Sequence, residues 1–163
     1  TEIMKKYHVA PAQINLEITE TAAAHSDMLE NNIKILHKQG IEFSLDDYGS
    51  GYSNTDYLFR FPFRIVKIDK TILWEAFKNE KAMIALRNTI RMIKELGLEI
   101  VVEGVENQEY VDYLTEQHCN YLQGYFYSKP IPDRDFLELL RRENAQYYAE
   151  RFSKNELSDI ITT

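Results

Sequence analysis

Short apolar runs alternate with longer amphipathic segments along most of the chain. The runs have the length of strands, and the segments repeat their apolar side chains every three to four residues, as helices do. The predicted strands are residues 13–20, 41–47, 63–69, 98–104 and 119–125, and the predicted helices are 26–40, a short piece near 54–61, 79–97, 108–117 and 133–152. Such alternation indicates an α/β fold with parallel strands joined by helical crossovers.

The number of predicted strands is informative. A closed (β/α)8 barrel needs eight strands and typically about 250 residues, whereas this chain has 163 residues and five predicted strands. It is therefore either an open sheet or part of a barrel whose first third is missing. The start, "TEIMKKYH", resembles a helix with no strand before it, which favours a fragment.

Each predicted strand carries polar side chains near its carboxyl end, where a barrel enzyme has its active site. A single carboxylate at such a position is usually just solvated, but a polar group on all five strands favours a site. The residues in question are Glu17, Glu20, Asp46, Asp47, Lys67, Asp69, Glu103 and Gln123.

The chemistry of such a group is constrained. Clustered carboxylates repel one another unless a cation compensates, and their hard oxygen atoms suit Mg²⁺ or Mn²⁺. One or two such ions and a lysine can hold a phosphate and activate water for in-line attack. Asp46 and Asp47 are adjacent, so they can point to opposite sides of the strand end and serve two ions about 3.5–4 Å apart.

Composition narrows the possible partners. The net charge of -7 argues against DNA or RNA binding, which needs clustered Lys and Arg, but a metal ion could still recruit a small phosphorylated ligand. The four histidines have no metal-ligand spacing, which argues against zinc.

One cysteine, Cys119, allows no internal disulfide and suggests a reducing compartment. No apolar run approaches the roughly 20 residues that span a bilayer, so we expect no membrane insertion and a cytoplasmic location.

Five motifs carry a resemblance to a known family: "INLEITE", "SLDDYGSGYSNTDYL", "IVKIDK", "VVEGVEN" and "LQGYFYSKP". Their order and spacing over residues 13–140 resemble EAL domains, the bacterial cyclic di-GMP phosphodiesterases. The resemblance implies a modified TIM (β/α)8 barrel, of which this chain holds about the last five βα units. It implies that residues 1–142 form the C-terminal part of an EAL domain and that 143–163 form a helical tail.

The resemblance also implies an activity and roles for individual residues. EAL domains hydrolyse cyclic di-GMP to linear pGpG with Mg²⁺ or Mn²⁺, often at a two-metal site, and Ca²⁺ inhibits them. The implied metal ligands are Glu17, Asp46 and Asp47; the implied catalytic residues are Lys67, Glu103 and Gln123; and the implied supporting or substrate-side residues are Glu20, which steadies the Asp-Asp loop, Asp69, Glu106 and Pro130.

Two family features are absent, the Glu-Ala-Leu stretch and the asparagine ligand on the following strand. We therefore expect this chain alone to have weak activity or none. Open sheet edges invite pairing, so a homodimer is expected, and the parent chain could carry a sensor or GGDEF domain upstream.

Two alternatives remain: a degenerate EAL module that binds the dinucleotide or a protein without cleaving the dinucleotide, and an enolase-type barrel with Lys67 as the base.

Overall fold

The computed structural model describes residues 2–24, 27–51 and 55–151. Five parallel strands form one sheet in the order of the chain, as predicted. The strands are β1 (Asn15–Thr19), β2 (Glu42–Tyr48), β3 (Ile65–Ile68), β4 (Glu99–Val102) and β5 (Tyr121–Leu122). Most are shorter than the apolar runs, because the last polar residues of several runs lie in the loops and helix starts that follow.

Helices precede the first strand, connect the strands and follow the last one. They are α1 (Glu2–Lys6), α2 (Glu20–Ala24), α3 (Asp27–Lys38), α4 (Tyr57–Arg60), α5 (Lys70–Ala76), α6 (Glu80–Glu95), α7 (Gln108–Glu116) and α8 (Asp133–Arg151), with a 3-10 turn at Pro11–Gln13. Helices α2 and α5 were not predicted, and Glu20 begins α2 rather than ending β1. Residue 26, where the predicted helix over 26–40 begins, lies outside the described residues.

The chain divides into two compact units, Thr1–Tyr127 and Ser128–Thr163. The first unit contains the whole sheet, and the second contains α8. Among the described residues, no helix has the length and apolar character needed to cross a bilayer.

The two faces of the sheet differ in chemistry. One face packs under the helices and includes aliphatic residues with no solvent exposure, namely Leu45, Val66, Ile68, Ile100 and Val102. The alternate residues lie on the opposite face, where Glu17 pairs in register with Ser44, and Lys67 with Val101. The Ser44 hydroxyl donates a hydrogen bond of 2.7 Å to Asn15 Oδ1 on this face. The sheet therefore buries one face and presents polar groups on the other.

A bulge interrupts β2 beside β3. Leu45 is paired with Val66 and Tyr48 with Ile68, so β2 uses one more residue than β3 between these pairs. Asp47, within this segment, has a positive φ of 56°, a conformation that non-glycine residues seldom adopt. The regular alternation of β2 therefore ends at the two adjacent aspartates.

Candidate active site

Lys67 lies at the centre of a group of carboxylates at the carboxyl ends of the strands. Its ammonium nitrogen is 2.8 Å from Asp46 Oδ1, 3.0 Å from Glu103 Oε1 and 3.1 Å from Glu17 Oε2. The residue is only 9% exposed. Burial alone would lower the pKa of Lys67, but the contacts with Asp46, Glu103 and Glu17 outweigh it and raise that pKa above its usual value. Lys67 therefore stays charged near neutral pH.

The bulge brings the two aspartates into a common cluster. Oxygen atoms of Asp46, Asp47 and Glu103 all lie within 4.8 Å of one another, whereas regular alternation would place adjacent side chains on opposite sides. Desolvation, followed by the nearby charges of Asp46 and Asp69, raises the pKa of Asp47. The negative charge at this point is thus only partly compensated by Lys67.

The cluster fits a hard divalent cation. Asp46 Oδ1 is buried and accepts no hydrogen bond of good geometry from the described residues, although Lys67 lies at ion-pair distance. Three carboxylates within reach of one point form the donor set that Mg²⁺ and Mn²⁺ prefer. Glu17, a predicted metal ligand, contacts Lys67 but is not one of these three residues.

Glu20 connects the first strand to the loop that follows the aspartates. This carboxylate is 2% exposed and accepts a hydrogen bond of 3.1 Å from the Gly49 amide. Gly49 has φ 89°, and a Cβ there would lie 2.1 Å from Ile72 Cδ1. The loop after Asp47 is therefore held by a buried acceptor on one side and by α5 on the other.

Asp69 caps α5 from the end of β3. Its carboxylate accepts hydrogen bonds from the backbone amide of Thr71, at 2.9 Å, and from the Thr71 hydroxyl. Caps of this kind start helices, and this one starts α5 two residues after Lys67. Asp69 is 8% exposed, so it adds a buried negative charge beside the cluster.

A groove opens next to Glu103 and contains residues that the sequence did not single out. Gln123 donates a long hydrogen bond of 3.4 Å to Glu103 Oε1. The groove holds about 210 Å³ and is lined by Lys70, Trp74, Glu103, Gly104, Glu106, Gln123, Gly124 and Tyr125. Trp74 was missed because it belongs to α5, the helix that the hydrophobic pattern did not reveal.

The structure thus brings most of the predicted site residues together. Lys67 contacts Glu17, Asp46 and Glu103, while Asp47 and Gln123 adjoin the same group. Glu20 and Asp69 support the neighbouring backbone, and Glu106 lines the groove. Pro130 belongs to the second unit and is exposed.

Comparison with known proteins identifies the family. Residues 1–130 match the EAL domain, and the chain belongs to this family. It is 33% identical over 138 residues to the cyclic di-GMP phosphodiesterase RocR of Pseudomonas aeruginosa, covering 83% of this chain and 35% of RocR. The chain spans between 17% and 35% of the length of the first curated relatives that it matches.

Solved structures agree on the fold. The EAL domain of Mycobacterium smegmatis DcpA superposes with a TM-score of 0.79 at 31% identity, over 86% of this chain and 64% of that one. Klebsiella pneumoniae BlrP1, solved as a manganese and cyclic di-GMP complex, gives a TM-score of 0.73 at 27% identity, over 79% of this chain and 33% of that one. The predicted fold is confirmed: the chain is an α/β protein that forms part of a TIM-type barrel.

Proposed function

We propose that this chain carries part of a metal-dependent phosphodiesterase site that hydrolyses one phosphodiester bond of cyclic di-GMP to give linear pGpG. The observation that carries the proposal is the buried Lys67 ammonium, which is surrounded by carboxylates and adjoins an oxygen cluster suited to a divalent cation. Two similar proteins support the choice of substrate and ion. RocR is a cyclic di-GMP phosphodiesterase, and BlrP1 was solved as a complex with manganese and cyclic di-GMP.

The carboxylates and the lysine have complementary tasks in this proposal. Asp46, Asp47 and Glu103 would hold Mg²⁺ or Mn²⁺, whose chemistry is to polarise a phosphate and to activate water. Lys67 places a positive charge where the phosphate oxygens gain negative charge. Hydrolysis adds one water across a P–O bond and leaves a phosphomonoester and a free hydroxyl group.

The state of Lys67 separates this proposal from the enolase-type alternative. A lysine acts as a general base only when its pKa falls towards the working pH. The surrounding carboxylates instead raise the pKa of Lys67. We therefore assign Lys67 a charge-stabilising role and assign the orientation of the attacking water to Glu103, whose Oε1 contacts Lys67 and also accepts a hydrogen bond from Gln123.

The test is a direct assay for product. The chain is incubated with cyclic di-GMP and Mn²⁺, and pGpG is measured by chromatography, with Ca²⁺ added in a parallel sample as the expected inhibitor. Glu103→Gln should abolish product. Glu95→Gln is the matched control, because it makes the same chemical change on the exposed surface of α6 and should leave the rate unchanged.

Binding decides between the two family interpretations if product is absent. The chain lacks the Glu-Ala-Leu and asparagine motifs, so we expect a low rate. Cyclic di-GMP that binds in the presence of Mn²⁺ and stays uncleaved even when a segment carrying the two missing motifs is added would favour the receptor alternative. Product formation that is equal in Glu103→Gln and in the unchanged chain would contradict the assigned site.

A further inference from the structure

Trp74 connects two parts of the site that the chain supplies from different strands. It is the one tryptophan of the sequence and lies on α5, one turn after Lys70. Its indole N–H donates a hydrogen bond of 2.8 Å to the carbonyl of Gly104, the residue that follows Glu103. Helix α5 follows β3, and Gly104 follows β4. This hydrogen bond therefore connects the segment after β3 to the backbone just after β4.

The backbone around Gly104 is tightly constrained. The Glu103 amide donates to the Ile68 carbonyl at 3.0 Å, and the Val105 amide donates to the Gln123 carbonyl at 3.1 Å. Gly104 itself, between these two bonds, has φ 73°. The chain thus turns at Gly104 just after Glu103 has joined the sheet, and the indole satisfies the carbonyl at that turn.

Helix α5 forms the surface against which this turn rests. A Cβ on Gly104 would lie 2.3 Å from Lys70 Cβ and 3.0 Å from Trp74 Nε1, so the turn and the helix are in close contact. The Lys70 ammonium lies 5.5 Å from the centre of the Trp74 ring, which orders the ring further. Because Asp69, two residues after Lys67, caps the same helix, α5 relates the position of Lys67 to that of Gly104.

We propose that Trp74 is a positioning residue: through the Gly104 carbonyl it fixes the turn that keeps the Glu103 carboxylate beside Lys67 and within the metal-binding cluster. Trp74 is not among the residues of that cluster, and its indole N–H donates to the Gly104 carbonyl rather than to a carboxylate of the cluster. Its effect on the metal rests on the proposed function, whereas its effect on the turn does not.

The first test measures the turn in the metal-free protein. Trp74→Phe keeps an aromatic ring and removes the hydrogen-bond donor. Hydrogen exchange should become about tenfold faster at the amides of Glu103 and Val105, in proportion to one lost hydrogen bond, while the amides of β1 and β2 keep their protection. An equal increase at all amides would mean that Trp74 only fills space, and it would overturn the proposal.

The second test measures the consequence for the metal. We expect Trp74→Phe to weaken Mn²⁺ binding about tenfold, as is typical when a partner that orients a ligand is removed. Tyr121→Phe is the control, since it removes an aromatic donor that contacts Glu99 on the same sheet, and it should bind Mn²⁺ normally. Wild-type affinity in Trp74→Phe would overturn the proposal.

A spectroscopic signal separates this proposal from the proposed function. The single indole N–H gives one resonance, which should shift when Mg²⁺ is added and should stop responding in Asp46→Asn. If the unchanged chain binds no Mn²⁺ or Mg²⁺, the metal-site hypothesis fails, and the exchange measurement still decides the role of Trp74. If metal binds but the indole resonance does not move, the positioning role is wrong.

Discussion

Two cation–carboxylate groups lie at opposite ends of the same strands, and they differ mainly in burial. At the amino ends, Arg64 Nη1 lies 2.6 Å from Glu42 Oε2, and Nη2 lies 3.4 Å from Glu99 Oε1. The Arg64 side chain is 50% exposed, whereas that of Lys67 at the carboxyl ends is 11% exposed. Water can solvate the first group, so its charges need no further partner.

The charge balance differs as well. Arg64 faces two carboxylates, while Lys67 faces three and has Asp47 nearby. Excess negative charge in a poorly solvated place is costly unless another cation is bound. Ion pairs of similar composition can therefore be solvated and need no further partner at one end of a sheet, and form part of a candidate metal site at the other.

The largest expected effect comes from removing the buried cation. Lys67→Met leaves several carboxylates together with little solvent, and we expect the free energy of unfolding to fall by about 3 kcal/mol in the presence of a chelator. Urea unfolding measures this change. Arg64→Met is the control and should change the midpoint little. An equal loss of unfolding free energy in the two variants would mean that the Lys67 group is no more sensitive to loss of its cation than the Arg64 group, and would contradict the comparison.

The next effect concerns metal affinity. Asp46→Asn removes a charged oxygen from the cluster and should weaken Mn²⁺ binding by more than about tenfold, as measured by calorimetry. Glu99→Gln makes a comparable change at the amino end and should bind Mn²⁺ as the unchanged chain does. Similar weakening in both variants would indicate that general surface charge, not a defined cluster, attracts the ion.

The smallest effect tests the sign of one pKa shift. Because the pKa of Asp47 is raised in the folded state, its charge opposes folding above that pKa, and the penalty disappears as the pH falls through it. Without metal, Asp47→Asn should therefore slightly increase the unfolding midpoint at pH 7 but not near pH 3. With saturating Mn²⁺, Asp47→Asn should instead have a lower unfolding midpoint than the unchanged chain. A loss of stability at pH 7 without metal would contradict the raised pKa.

The sequence predicted the sheet well because its signal is local. Five apolar runs separated by helical periodicity define β1 to β5 and most of the helices, and the polar strand ends indicated where the site lies. Helix α5 escaped notice because only seven residues form it, too few for a clear period. The cap at Asp69 with Thr71 was its local signal, since an aspartate that bonds an amide two residues later starts helices.

Other features could not be predicted because they depend on contacts between distant residues. The hydrogen bond between Trp74 and Gly104 joins residues thirty positions apart in the sequence, and that between Glu20 and Gly49 joins residues twenty-nine positions apart. Neither leaves a periodic signal. The separation of Asp46 and Asp47 was predicted from regular strand alternation, whereas the bulge gathers their oxygen atoms with Glu103.

The extra residue in β2 also has a consequence for protein engineering. Deleting one residue between Leu45 and Tyr48 would restore unbroken pairing with Val66 and Ile68 and remove the unfavourable backbone conformation at Asp47. The shortened protein should gain a more regular sheet and lose the arrangement of its aspartates. Selection for thermal stability alone would thus act against this irregularity, whereas selection that also requires activity should retain it.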